Sequence, residues 1–281
     1  MFRTPLVSLA LATLLAVGAL AAEPPTGGWP PPPKSSTVAS VYDGDTMTLA
    51  SGDKVRLRWV NTPELKPLED HAVEARAATE AFVLEKPVTL LLGSENPRDG
   101  YGRVVSGIET AEGNLSLHLL ELGLGHLFVI PPDETDMAPF LAAQKRAREA
   151  RRGIWSADAF QGTLHITSFH ANAPGDDREN INGEYLRVCN ITTEPLNIAG
   201  YRIAKASGKS FELPDVVIPA GHTFKIFSGK GEHQKDPKRQ LEVYLNSDQP
   251  VWNNDADRAT LYDRFGRVMD ARDHEVHGES N

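Results

Sequence analysis

Three short stretches of this chain bring together the side chains that phosphodiester hydrolysis needs. The first is Asp43-Gly44-Asp45-Thr46. The second runs Arg56-Leu57-Arg58-Trp59-Val60-Asn61-Thr62-Pro63-Glu64, and the third is Asp99-Gly100-Tyr101-Gly102-Arg103. A hard cation takes oxygen ligands; Asp45, the Asn61 amide oxygen and the Thr62 carbonyl can supply them, with Asp43 in reach through a water. Beside such an ion, Glu64 can position or deprotonate an attacking water. Charge builds on the equatorial oxygens as phosphorus becomes five-coordinate. The guanidiniums of Arg56 and Arg103 can grip those oxygens with forked hydrogen bonds that strengthen in the transition state. Each stretch alone has a plainer reading: a hairpin turn, a solvated strand face, a glycine-rich loop. Only their combination describes a site.

These residues need a scaffold, and the pattern around them predicts one. Strand patterns cover 36–42, 46–50, 54–60, 88–92 and 103–108, and helical patterns cover 70–85, 115–122 and 137–152. The alternation of Val55, Leu57 and Trp59 turns Arg56 and Arg58 to the other strand face, and Pro63 ends the strand. The last helix is punctuated by Asp136 as N-cap, Pro139 in its first turn and Gly153 beyond its end. Five short strands with three helices over 35–160 fit a small α+β barrel. From about residue 163 helical periodicity stops. Strand patterns at 164–169, 184–191, 201–204, 216–218, 223–227, 259–262 and 267–270 predict an all-β sandwich over 162–272, with a polar, frayed tail at 273–281.

Composition narrows the class. The 281 residues are 40% hydrophobic and 24% charged, which excludes a disordered, collagen-like or polytopic membrane chain. A net charge of −9 argues against coating duplex DNA by bulk electrostatics. The single cysteine, Cys189, excludes an intrachain disulfide and a cysteine-based zinc cage. Residues 1–21 read as a secretory signal peptide: Arg3 precedes an apolar run over 6–20, and Ala19-Leu20-Ala21 is a small-x-small cleavage pattern. The proline-rich stretch at 22–34 reads as an extended tether with no core to join. The expectation is an exported protein, secreted, periplasmic or at the cell surface, without a membrane span after cleavage.

At this point the first block resembles the staphylococcal (micrococcal) nuclease, or thermonuclease, family. The likeness rests on Asp43-Gly44-Asp45-Thr46, on Arg56 and Glu64 in the stretch ending Thr62-Pro63-Glu64, on Asp99-Gly100-Tyr101-Gly102-Arg103, and on Gly153-Ile154-Trp155-Ser156 after the terminal helix. The resemblance implies an OB-like five-stranded barrel with three helices and Ca2+ as cofactor. It implies Arg56, Glu64 and Arg103 as catalytic residues, and Asp45 with Asn61 and Thr62 as the calcium site. It also implies cleavage of single-stranded or breathing DNA or RNA that leaves 3′-phosphates. Two departures stand out. Asn61 replaces a second aspartate, which removes a charge and weakens calcium binding, with Asp43 as partial compensation. Val129 and Pro131 stand where the family uses tyrosines around the nucleotide, which leaves stacking to Phe128 and Tyr101.

The second block looks like a lamin-tail domain, an immunoglobulin-like sandwich, carried by 182–190, 196–203, 218–224 and 252–262. Its partner could be a surface, nucleic acid or protein. Elsewhere the simple readings prevail. Cys189 is a buried strand residue, His274 and His277 lack a third ligand, and 253–257 is a polar turn without the glycine and distal glutamate of a calcium loop. The basic residues Lys145, Arg146, Arg148, Arg151 and Arg152 form a solvated face at the helix end, with guidance of a nucleic-acid strand as the other reading. The leading expectation is an exported calcium-dependent nuclease. The alternative is a barrel kept only for binding nucleic acid or protein beside an adhesive sandwich; such a barrel has no need of Arg56, Glu64 and Arg103 together.

Overall fold

Apolar residues at every second position along the first strands turn inward and close on one another. In the computed structural model, which describes residues 29–93 and 97–275, the first block runs β1 (Ser35–Val41), β2 (Thr46–Leu49), β3 (Lys54–Leu57), β4 (Trp59–Asn61) and α1 (Ala72–Val83). It continues with β5 (Pro87–Leu92), β6 (Val104–Thr110), β7 (Gly113–Asn114), α2 (Leu115–Leu122), β8 (His126–Phe128) and α3 (Ala138–Glu149). Strands β3, β2, β1, β5 and β6 form a sheet, and a parallel pairing of β3 with β6 closes it into the expected five-stranded barrel with three helices. Met47, Leu49, Val55, Leu57, Val104 and Ile108 fill it, and Leu115, Leu119 and Leu120 of α2 cap the packing.

The strand expected over 54–60 breaks. Trp59 takes φ 66°, and the chain leaves the barrel after Leu57 so that β4 pairs with β8 instead. The break is stabilised by tertiary contacts: Ser116 Oγ donates to the Arg58 carbonyl at 2.7 Å, and Trp59 Nε1 donates to Asp133 at 2.8 Å. At α3 the N-cap falls on Met137 instead of the expected Asp136, whose carboxylate accepts from the Ala138 N–H at 3.0 Å from one residue further back.

The second block contains β9 (Leu164–His170), β10 (Tyr185–Asn190), β11 (Leu196–Asn197), β12 (Arg202–Ala204), β13 (Ser210–Glu212) and β14 (Val217–Ile218). Then come β15 (Thr223–Phe227), β16 (Leu241–Tyr244), β17 (Ala256–Tyr262) and β18 (Val268–Glu275). One sheet has the order β16-β15-β10-β9 and another β13-β12-β17-β18, with β11 and β14 as a small pair. Leu164, Ile166, Leu186, Val188, Phe224 and Ile226 of the first sheet meet Ile203, Ala259 and Leu261 of the second, as an immunoglobulin-like sandwich requires. Strands β11, β13 and β16 escaped the sequence reading. The tail expected from 273 is also corrected. Strand β18 continues through Glu275, paired along β17 as far as Ala256; residues 276–281, with His277, lie outside the described part.

The two blocks share a packed interface. Ala147, Ile154, Trp155 and Phe160 of the first form one buried cluster with Cys189 and Ile191 of the second. Gln144 bridges them, accepting from the Leu127 N–H at 2.6 Å and donating to the Ile191 carbonyl at 3.1 Å. Just past β8, the Val129 N–H donates to the Gly221 carbonyl at 2.8 Å, and the Thr223 N–H donates to the Val129 carbonyl at 3.0 Å. Arg148 reaches the Ile191 and Gly162 carbonyls at 2.7 and 3.0 Å. It pins the domains together, whereas Lys145, Arg151 and Arg152 are exposed as expected. The tether is corrected too: its end joins the barrel, with Trp29 under the Arg98 guanidinium and the Pro30 carbonyl accepting from Arg98 at 3.2 Å. The signal segment, residues 1–21, lies outside the described residues.

Candidate functional site

The turn between β1 and β2 is fixed on several sides before it offers any chemistry. Thr79 of α1 donates to the Gly44 carbonyl at 2.7 Å, and the Leu57 N–H donates to the Asp45 carbonyl at 2.7 Å. A Cβ on Gly44 would come within 2.7 Å of the Thr62 side chain, so only glycine lets α1, the turn and the 62–64 segment converge. Asp43 and Asp45 are both buried at 5% exposure. Asp43 accepts from the Asp45 N–H at 3.1 Å, and Asp45 accepts from the Thr62 N–H at 2.9 Å. These bonds tie the first motif to the second.

Arg56, on β3, is held in the same place by four contacts. It donates to the Leu57 and Val60 carbonyls at 2.7 and 3.0 Å, donates to Asn61 Oδ1 at 2.8 Å, and stands 3.2 Å from Asp45 Oδ2. Asn61 Oδ1 therefore serves Arg56 in this conformation, besides lining the cleft. Glu64 is half-buried. Its N–H donates to Glu69 at 2.9 Å, which fixes the local backbone. Burial, then Asp45 and Asp43, push the Glu64 carboxyl up to about 7 against the pull of Arg56. Burial and Asp45 likewise push Asp43 up to about 6. Three carboxylates thus crowd around one guanidinium.

The third motif is a self-contained turn. Asp99 accepts from the Tyr101 and Arg103 N–H groups at 3.0 Å and from Arg103 Nε at 2.8 Å. Gly102 has φ 77°, and a side chain there would strike Trp29 at 2.6 Å. Arg103 is 28% exposed and lies over the Tyr101 ring at 5.4 Å. All three motifs open on one cleft of about 740 Å³, lined by Asp43, Asp45, Arg56, Asn61, Glu64 and Arg103. Thr62 is buried and is not among the residues that line it. Phe128 and Tyr101 line the cleft as expected. Val129 is buried in the domain interface, and Pro131 is buried as well.

Among the described residues no cluster of three or more His, Cys, Asp or Glu side chains could hold a metal ion. The set expected here is of another composition: two carboxylates, an amide and a backbone carbonyl. Its all-oxygen chemistry suits a hard divalent ion. His274 is engaged otherwise, with Nε2 3.0 Å from the Asn254 carbonyl. Cys189 is buried, and burial pushes its thiol far up, so it is inert.

Sequence reasoning missed one wall. His170, Tyr185, Arg187 and Lys225 of the sandwich also line the cleft. Tyr185 with Arg187, and Lys225 with Phe227, do alternate in their strands, but that spacing cannot say which face meets the barrel.

Comparison with known proteins agrees with this architecture. Residues 54–157 match the family model described as staphylococcal nuclease homologue, and residues 158–275 match the lamin tail domain. A thermonuclease of Staphylococcus intermedius is 28% identical over 129 residues, covering 43% of this chain and 76% of that protein. An uncharacterized protein of Bacillus anthracis is 29% identical over 131 residues, covering 44% of this chain and 61% of its own length. The nuclease-homologue domain suggests a nuclease that binds nucleic acid. No helix among the described residues is long and apolar enough to cross a membrane. The chain joins a staphylococcal nuclease homologue domain, over residues 54–157, to a lamin tail domain over residues 158–275.

Proposed function

We propose that this protein is an exported, calcium-dependent nuclease that hydrolyses phosphodiester bonds of single-stranded DNA or RNA and leaves 3′-phosphates. The observation that carries the reading is the convergence of Arg56, Glu64 and Arg103, from three separate motifs, on one cleft that also holds Asp43 and Asp45. Arg56 and Arg103 are suited to grip the two free phosphate oxygens, since each presents a guanidinium already oriented by a carboxylate. Binding the substrate costs little side-chain ordering, because those contacts preorganise both arginines. Glu64, half-buried next to them, is the group suited to take a proton from water. Asp45, Asp43, Asn61 and the Thr62 carbonyl would hold calcium, and a bound calcium ion supplies Lewis acidity and charge neutralisation at the phosphate. Export is supported by the apolar leader and its small-x-small cleavage pattern.

The test uses the full chain after the leader with a single-stranded oligonucleotide, calcium or chelator, and mapped product ends. Calcium-dependent 3′-phosphate ends bear out the reading, while intact substrate under all conditions refutes it and favours a binding-only barrel.

A further inference from the structure

The cleft has two chemically different walls. On the barrel side Asp43, Asp45, Glu64, Asp99 and Asp133 face only Arg56, Arg58 and Arg103, so that wall repels a polyanion overall. On the sandwich side stand Arg187, Lys225, Tyr185 and His170, with no carboxylate. Register explains the arrangement. Ser168, Arg187, Lys225 and Glu242 lie side by side across β9, β10, β15 and β16, and two residues along each strand His170, Tyr185, Phe227 and Tyr244 form a second row. Side chains two apart share a face, so a row with Arg187 and Lys225 at its centre runs beside an aromatic row.

Among the described residues the contacts of these cations are to neutral groups and rings. Arg187 donates to neutral groups, Gln240 Oε1 at 2.7 Å and Thr223 Oγ1 at 3.3 Å. Lys225 Nζ sits 4.6 Å above the Tyr185 ring. Glu242, its neighbour in register, has its carboxylate on the Tyr244 hydroxyl at 2.8 Å. Burial, then Arg187, hold Lys225 below its ordinary value, and burial, then Lys225 and Arg187, do the same for His170. Glu242 pulls Lys225 back toward its ordinary value, yet two half-buried cations side by side still gain from an anion that joins them. The His170 and Tyr185 rings stack at 4.2 Å and 20°, which gives a planar platform at the same wall.

We infer that the lamin tail domain supplies the second wall of the nucleic-acid cleft, with Arg187 and Lys225 holding backbone phosphates flanking the scissile one and Tyr185, backed by His170, taking an unpaired base as Lys225 turns from its ring to phosphate. The ligand is a single strand, because a base must leave its partner to stack on a side chain. The interface explains why the wall can act as a fixed part of the site. The Val129–Thr223 and Val129–Gly221 bonds join the end of β8 directly to the start of β15. This inference rests on the hydrolase reading only for the identity of the strand as substrate.

Anisotropy of labelled dodecathymidylate with the full chain carrying Glu64→Gln measures the wall without turnover. Lys225→Ala and Tyr185→Ala should each weaken binding about tenfold, and Lys225→Arg should keep most of it. In the parent enzyme the same changes should raise KM more than they lower kcat, by a factor that shrinks as the strand is shortened toward a dinucleotide. Lys225→Met and Tyr185→Leu retain apolar packing and repeat the test should the alanine variants unfold. Affinity within twofold of the parent in the folded variants overturns the inference, even where hydrolysis is intact. Binding that depends on Lys225 and Tyr185 in a protein that cleaves nothing upholds the wall and defeats the hydrolase reading instead.

Discussion

The guanidinium of Arg56 lies 3.2 Å from the Asp45 carboxylate and 2.8 Å from the Asn61 amide oxygen. The side chain proposed to hold phosphate is thus clasped by two groups proposed to hold calcium. Cation and guanidinium compete for the same oxygens, and phosphate is the ligand that would satisfy both.

It follows that Arg56→Gln should tighten calcium binding in the absence of nucleic acid. Removing a positive charge in contact with Asp45 should raise affinity by about three- to tenfold, while hydrolysis drops by orders of magnitude. Isothermal titration with calcium checks the first effect. Equal or weaker affinity would separate Arg56 from the cation site.

Asn61→Asp adds a carboxylate at a position that now accepts from Arg56. Calcium affinity should rise by roughly tenfold, and salt should weaken it more steeply than in the parent. Turnover should gain less than affinity, because the new carboxylate also binds Arg56 more firmly. A calcium titration at two ionic strengths decides the matter.

Burial, then the neighbouring His165, hold the His126 imidazole down from its ordinary 6.5 to about 3. Its Nδ1 lies 3.0 Å from the Leu127 carbonyl, and its Nε2 has no partner among the described residues. The unfolded chain takes up the proton first. His126 therefore contributes stability that is complete above 6.5 and is lost as pH falls toward 3. Asp43 and Glu64, whose carboxyls are pushed up, act in the opposite sense. The difference between variants isolates the histidine: His126→Phe should flatten the acid side of the stability curve, read from denaturant midpoints between pH 7 and 4. Parallel curves for parent and variant would contradict this assignment.

Gln144 is fully buried and satisfies backbone groups in both domains. Gln144→Leu leaves the Leu127 N–H and the Ile191 carbonyl without it and should cost about 2–4 kcal/mol. Because the domains share that interface, the loss should appear as a lower temperature for one common transition in calorimetry. Two separated transitions in the parent would show that the interface is weak.

Much of this molecule is legible in its residues. The alternation through Val55 and Leu57, the Asp-Gly turn and the run of α2 lead to the barrel, and the three motifs lead to one cleft. What escaped is tertiary. The kink at Trp59 depends on Ser116 and Asp133, which are far away in sequence. Trp29 looked like part of a tether because the glycine that receives it, Gly102, lies 73 residues on and appears only as a turn residue. Strand β16 joins its sheet as a parallel neighbour of β15 across a charged loop, a pairing that no hairpin turn signals. The sandwich wall was hidden for the same reason: strand spacing gives two faces, and only docking chooses between them.

The role proposed for Glu64 and its neighbours is calcium-assisted hydrolysis of a nucleic-acid strand. Its most direct test follows cleavage of a single-stranded oligonucleotide by the parent and by Glu64→Gln, each with calcium and with chelator. Expected are 3′-phosphate products from the parent with calcium only, and a rate lower by several orders of magnitude for a variant of unchanged melting temperature. Cleavage by Glu64→Gln at the parental rate would contradict it.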